Sequence, residues 1–280
     1  MRYCFLLALL PGAAYGQSTA QQWRHAALQP ELQVEVPTGP RGFAYLALGG
    51  LRYGDYNTIV ADRTLGLDTR YAAAGYEQQF RRSQWSWGAT VRVAGAAGIN
   101  AVVQPGLLLR HRSLLGPLTL GQRLAAEYAF SDNFRIDPAY NLPTRYSAVS
   151  PTLVRLRLDV YPTNGLAVSK GLSLSPRLSF EPALFLRLQR EASDPDKRTI
   201  DYTGLRADVT ARFAGARLDV TPWFALQTQY LRTLVQLDPN GNPTSNGKLN
   251  YGLPTVGLEV RYNLSYTGSA EDRFKLPTHH

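Results

Sequence analysis

The sequence predicts an all-β fold: a transmembrane, antiparallel, up-and-down β-barrel of about ten strands. Three observations carry the prediction. Long segments alternate apolar and polar residues with a period of two. The connections between them are short on one side and long on the other. After Gln17 no stretch is apolar over about 18 consecutive residues, so a crossing of lipid has to use strands. Strands satisfy every backbone group in lipid only when the sheet closes on itself.

The chain opens MRYCFLLALLPGAAYGQ. Arg2 supplies a basic start, Cys4 to Leu10 an apolar run, and Ala14-Tyr15-Gly16 a small-x-small site. Residues 1–16 therefore read as a secretory signal peptide, cleaved before Gln17. Cys4 is the only cysteine and leaves with it, so the remainder has no disulfide, thiol nucleophile or cysteine metal site. Residues 17–40 are polar and proline-bearing. They read as a periplasmic lead-in with one short strand at Glu31–Val36.

The period-two segments are 42–54, 67–80, 85–95, 102–112, 118–130, 150–161, 175–190, 200–213, 217–236 and 249–266, within a barrel domain spanning 41–266. Many are longer than the five or six residues usual for soluble strands and match the roughly 9–11 that a tilted membrane strand needs. An even number returns both barrel ends to the same side. Counting Glu31–Val36 and dividing 217–236 would give about twelve strands instead. Residues 267–280 form a tail or a short last strand. Short links fall at 81–84, 113–117 and 214–216, and long polar links at 55–66, 131–149, 191–199 and 237–248. Two links break the rule: 162–174 is long where a short one is due, and 95–101 is short where a long one is due.

The two faces of each segment differ sharply. In "TLVRLRLDVYP", Thr152–Pro162, Val154, Leu156, Leu158 and Val160 oppose Arg155, Arg157 and Asp159. The same division recurs in 118–130, 175–190, 200–213 and 249–266. Aromatic residues gather near the ends of the apolar stripes: Trp85, Trp87, Tyr128, Phe130, Phe213, Tyr230, Tyr262 and Tyr266. Rings at headgroup depth form the girdles of membrane barrels. The aliphatic stripes are thus expected to face lipid and the charged stripes the interior.

A charged interior requires both signs, because an unpaired buried charge is costly. The polar stripes supply both on the same strands: Arg123 with Glu127, Arg177 with Glu181, Arg206 with Asp208, Arg217 with Asp219, and Glu259 with Arg261. Arg155, Arg157, Asp159 and Arg212 complete the expected network, and Arg92 sits alone among Trp85, Trp87, Val91 and Val93. The formal net charge of +9 is carried almost wholly by arginine, which suits bidentate pairing with carboxylate or phosphate. A lumen of this kind favours an anionic solute if anything passes. Nucleic acid is not an expected partner, since there is no basic block or groove-reading helix and the chain is exported.

Motifs for catalysis are sparse. The histidines are His25, His111, His279 and His280, and no metalloprotease, nucleophile-elbow or phosphate-loop motif is present. No cofactor or metal is expected, and the chain is not read as an enzyme. The alternative catalytic reading is a lipid-modifying enzyme using His111 with Ser113, two apart on one strand and so on one face. A further alternative is a secreted soluble β-sandwich that binds carbohydrate. The 131–149 connection carries Arg135, Tyr140, Arg145 and Tyr146, which suit a carbohydrate, a phosphate or lipopolysaccharide.

With its export signal, long alternating strands, aromatic girdles and sorted links, the chain resembles the broad class of small bacterial outer-membrane β-barrel proteins over Arg41–Tyr266. The resemblance is architectural and brings no functional residues with it. It implies location in the bacterial outer membrane, lipid and lipopolysaccharide around the wall, insertion by the barrel-insertion machinery, and a structural or minor transport role. One departure concerns the end. Such barrels often finish on a terminal aromatic, whereas "TGSAEDRFKLPTHH" follows Tyr266 here.

Overall fold

The computed structural model describes residues 19–39, 41–54, 65–81, 83–96, 102–130, 134–137, 142–145, 152–185, 200–232, 236–237, 243–245 and 248–264. The regular elements are all strands. The first seven are β1 (Thr19–Trp23), β2 (Ala27–Pro37), β3 (Gly42–Tyr53), β4 (Thr69–Gln79), β5 (Trp85–Ala96), β6 (Val102–Leu115) and β7 (Leu118–Tyr128). There follow β8 (Phe134–Asp137), β9 (Leu142–Arg145), β10 (Thr152–Pro162), β11 (Leu166–Ser169), β12 (Leu172–Phe185), β13 (Ile200–Phe213), β14 (Leu218–Arg232), β15 (Gln236–Leu237), β16 (Pro243–Ser245) and β17 (Lys248–Asn263).

From β2 the chain meanders antiparallel through β3, β4, β5, β6, β7, β10, β12, β13 and β14 to β17. There it closes on itself: β17 runs parallel to β2, from Thr255↔Ala27 to Asn263↔Glu35, and parallel to β1, from Lys248↔Thr19 to Gly252↔Trp23. β1 and β2 act as one strand along β17, interrupted at residues 24–26. The result is a closed barrel of 11 strands. β8 with β9 and β15 with β16 are small separate ladders. A single sheet closed in this way is not a two-sheet sandwich.

The strand number is close to the expected ten or twelve, and the parallel closure departs from the expectation of a wholly antiparallel barrel. Within segment 217–236, Leu218–Arg232 form one strand, and Glu31–Val36 belongs to a strand of 11 residues in the region expected as a lead-in. Pro30 is what obscures this strand in the sequence, because proline is usually excluded from ladders. The pairing of β2 with β3 indeed skips Gln29 and Pro30, resuming at Glu31↔Gly49. The parallel seam then follows from parity. Successive strands of a meander alternate in direction, so the first and the eleventh run the same way and can close only in parallel. For the same reason Thr19 and Asn263 lie at opposite ends of the barrel, not at one.

The links β2 to β3, β4 to β5, β6 to β7, β10 to β12 and β13 to β14 share one end of the barrel, called here the short-turn end, while the short 97–101 link from β5 to β6 joins strands at the other end. The irregular link at 162–174 is resolved by β11, which folds back on β12 through Leu166↔Leu174. The turn between them uses Gly171 at φ +91°, a conformation that residues with a Cβ rarely adopt. The last residues expected in the 175–190 segment, 186–190, lie outside the described residues, as do 1–18 and 265–280.

The pleat is inverted relative to a water-soluble protein. Leu156, Leu158 and Val160 are 39%, 38% and 41% exposed on the outer wall, whereas Arg157 and Asp159 between them are 3% and 2% exposed. Leu46 and Leu48, Val91 and Val93, Leu107 and Leu109, Leu205 and Val209, and Val256 and Leu258 continue the exposed apolar band around the barrel. Inside, bulky rings fit because glycine faces them. Trp223 lies against its register partner Gly257 and Tyr45 against Gly75, where a Cβ would overlap each ring.

Candidate functional site

The interior charges meet across strands. Glu181 on β12 bridges two arginines, accepting from Arg123 Nη2 at 2.8 Å and from Arg155 Nη1 at 3.1 Å. Arg155 also reaches Glu127 at 3.3 Å. Asp208 on β13 is a second bridge. It accepts a bidentate pair from Arg177 on β12, Nε to Oδ1 at 3.1 Å and Nη2 to Oδ2 at 2.8 Å, and one bond from Arg206 Nε at 3.0 Å. Arg206 continues to Glu259 at 2.6 Å. Arg157 donates to Asp159 at 2.8 Å and to Ser179 at 3.2 Å. Near the short-turn end Arg212 and Asp219, opposite each other in register, form a bidentate pair at 2.8 and 2.7 Å. Arg261 faces Glu35 at 3.4 Å.

Of the same-strand groupings read from the sequence, Arg206–Asp208 is a direct pair, and strand geometry explains why acids on neighbouring strands meet the other arginines. Residues four apart on a strand are about 13 Å apart at ~3.3 Å per residue, so Arg123 and Arg177 turn to neighbouring strands instead of Glu127 and Glu181. Residues two apart are roughly 7 Å apart, within reach of a long arginine, so the Arg206–Asp208 pair forms. Asp219 pairs with Arg212, and Glu259 and Arg261 find partners on β13 and β2. Arg217 is not in the lumen at all. It closes the β13–β14 turn with φ +54° and is exposed.

Sequence reading missed Glu31, Glu35, Glu77 and Arg110, all inward-facing. Arg110 sits 3.5 Å from Glu77, Glu77 also accepts from Ser86 at 2.6 Å, and Glu31 accepts from the Tyr71 hydroxyl. The signal was available. Glu31, Glu35 and Arg110 alternate with outward leucines or valines, as in "ELQVEV" and "LLLRHR". Arg92, expected to be isolated, stacks on Tyr71 with 4.1 Å between its guanidinium carbon and the ring centroid. Arg206 stacks likewise on Trp223 at 4.5 Å.

The lumen is unequally filled. Toward the short-turn end, the space between Arg177, Asp208, Arg212, Asp219 and Arg261 is a cavity of only about 60 Å³. Toward the other end a cavity of about 460 Å³ lies between β5, β10, β12, β13 and β14, with Arg92, Arg155, Arg157 and Arg206 in its wall.

His111 faces outward, beside Trp85 with ring centroids 4.4 Å apart. Its Nδ1 lies 3.0 Å from Gln122 Oε1 and 3.4 Å from Ser113 Oγ. Gln122 thus lies closer to this ring nitrogen than the Ser113 hydroxyl does. Among the described residues no cluster of three or more His, Cys, Asp or Glu is placed to hold a metal. Exposed rings lie near both ends of the outer wall: Phe80, Trp85, Phe213 and Tyr262 toward the short turns, Trp23, Tyr128 and Phe130 toward the other end. Tyr230 instead hydrogen-bonds Thr203 at 3.1 Å. Tyr140, Tyr146 and Tyr266 lie outside the described residues, and so do the side chains of Arg135 and Arg145.

Comparison with protein-family models and with curated proteins returns no match for this chain.

Proposed function

We propose that this chain is an integral β-barrel protein of the bacterial outer membrane, exported by its signal peptide, with a structural or minor transport role. One observation carries the reading: a band of exposed apolar residues, mostly leucine and valine, lies around a barrel whose interior is charged. In water that arrangement leaves far more contiguous apolar surface exposed than soluble monomers show. In lipid the same band is the favourable contact, and closing the sheet leaves no free edge strand.

Dimensions agree. The 11 residues of β4, β7 and β10 extend about 36 Å along the strand, which at a tilt of ~40° stands about 27 Å tall, close to the apolar height of outer-membrane barrels. The rings at both rims sit where girdles belong. The short-turn end adds a charge cue. Arg41, Arg81, Lys170 and Arg217 are exposed there, and links 38–41, 80–84, 116–117, 163–171 and 214–217 contain no Asp or Glu. A basic rim next to a ring of aromatics suits anionic headgroups. Lipid and lipopolysaccharide are the proposed surroundings, with assembly by the barrel-insertion machinery.

The close burial of Arg110, Arg157, Asp159 and Glu259 at mid-height supports a lumen without a wide aqueous path. Any flux is slow, and the arginine excess favours anions. No catalytic role is proposed. The test is fractionation of the full-length chain with an unboiled gel. Recovery in the outer membrane and a mobility shift on boiling are expected. A detergent-free soluble protein would sink the reading.

A further inference from the structure

The larger lumen cavity carries an inference that goes beyond the membrane reading and does not depend on it. Four arginines stand in its wall against one carboxylate, Glu181. Three of them are engaged: Arg155 with Glu127 and Glu181, Arg157 with Asp159 and Ser179, Arg206 with Asp208 and Glu259. Arg92 differs. Among the described residues it makes no ion pair, and its Nε has no hydrogen-bond partner. Glu127 and Glu31 are within electrostatic range of it but are held by Arg155 and by the Tyr71 hydroxyl. Stacking on Tyr71 uses the face of the guanidinium and leaves its N–H edge for an acceptor. A cation kept largely from water without a direct ion pair is costly unless an anion joins it.

The space beside it is of ligand size. About 460 Å³ falls within the range of small-molecule sites. The wall is completed by Gln29, Gln227, Gln229 and the phenol of Tyr202, neutral groups that both donate and accept and so suit hydroxyls. We propose that this cavity binds a small polyhydroxy solute bearing one oxyanion, a phosphorylated or carboxylated sugar, with Arg92 anchoring the anionic group. Phosphate and carboxylate share the planar or tetrahedral oxygen edge that a guanidinium grips in bidentate fashion.

Titration calorimetry on the full chain in detergent micelles tests this with glucose 6-phosphate, glucuronate, inorganic phosphate and glucose. A Kd of about 1 mM or tighter is expected for one of the two anionic sugars, with glucose unbound. Arg92→Gln is expected to weaken that binding by about tenfold or more, since a charge-assisted contact is lost. If Arg92→Gln gives no heat-shifted band and so no folded barrel, Gln227→Ala reads the hydroxyl contacts instead, with a loss of roughly threefold expected. Glucose binding as well as its phosphate, folded Arg92→Gln or Gln227→Ala binding unchanged, or no binding of either anionic sugar at about 10 mM would each overturn the proposal. Inorganic phosphate binding as tightly as the sugar phosphate would overturn the assignment to a sugar. Fractionation of the same chain reads the membrane proposal separately, so either can fail alone.

Discussion

Asp208 and Arg92 show how differently the two halves of the lumen are built. Toward the short turns, Asp208 receives four hydrogen bonds from two arginines and its side chain has no exposed surface. Asp219 receives a bidentate pair a few residues away. Toward the long links, Arg92 has a tyrosine ring on one side and open space on the other. Both halves use arginine on alternating strand positions. What differs is whether the register brings an acid to the opposite strand. At Arg177↔Asp208 and Arg212↔Asp219 it does. At Arg92↔Gln104 and Arg155↔Ala183 it does not. A saturated lattice holds the barrel together and closes it, while an unsaturated one leaves charge available to a solute.

Substitutions can break that contrast. Asp208→Ala strands Arg177 and Arg206 in the packed half and is expected to cost about 3–5 kcal/mol, the usual penalty for orphaning a buried charge. The urea midpoint of the mobility-shifted band measures it, and a cost near zero would mean that water already fills this half. Leu156→Arg, on the outer wall at mid-height, is expected to cost roughly 2–4 kcal/mol in a bilayer. An unchanged unfolding midpoint in lipid vesicles would place that wall in water. Gly257→Val drives a branched side chain into the Trp223 indole and is expected to cost about 1–3 kcal/mol by overpacking. The Trp223 environment would shift in near-ultraviolet circular dichroism, and a silent spectrum would contradict the close fit.

The cavity half is expected to be forgiving. Gln227→Leu there removes a wall group that water replaces, so its stability cost is about 1 kcal/mol or less. A loss as large as that of Asp208→Ala would show that the two halves do not differ. Smallest is Arg217→Gly, which relieves a left-handed turn residue outside the lumen and is expected to stabilise by about 0.5 kcal/mol. A clear loss of stability would point to a role for its charge at the rim.

Much of this molecule is legible in its sequence. Strand positions from β3 onward follow the alternation, because a one-residue slip would exchange an aliphatic face for a charged one. The same alternation sorts Val154, Leu156, Leu158 and Val160 from Arg157 and Asp159 without any knowledge of neighbours. The first strand was obscured by Pro30, and its omission alone changed the count, the direction of the seam and the end at which Thr19 lies. His111 with Ser113 read as a candidate dyad from spacing, but Gln122, on the next strand, lies nearer to the same ring nitrogen.

By itself, then, the sequence determined which side chains face in and which face out, since that depends only on a period of two along one strand. It could not determine who pairs with whom inside. A strand separates its own inward residues by roughly 7 Å steps, while the next strand lies only about 4.8 Å away. The ion pairs are therefore mainly a property of register between strands. Register, the parallel closure of β2 on β17, and the uneven filling that leaves Arg92 beside an open cavity were decided only when the sheet closed.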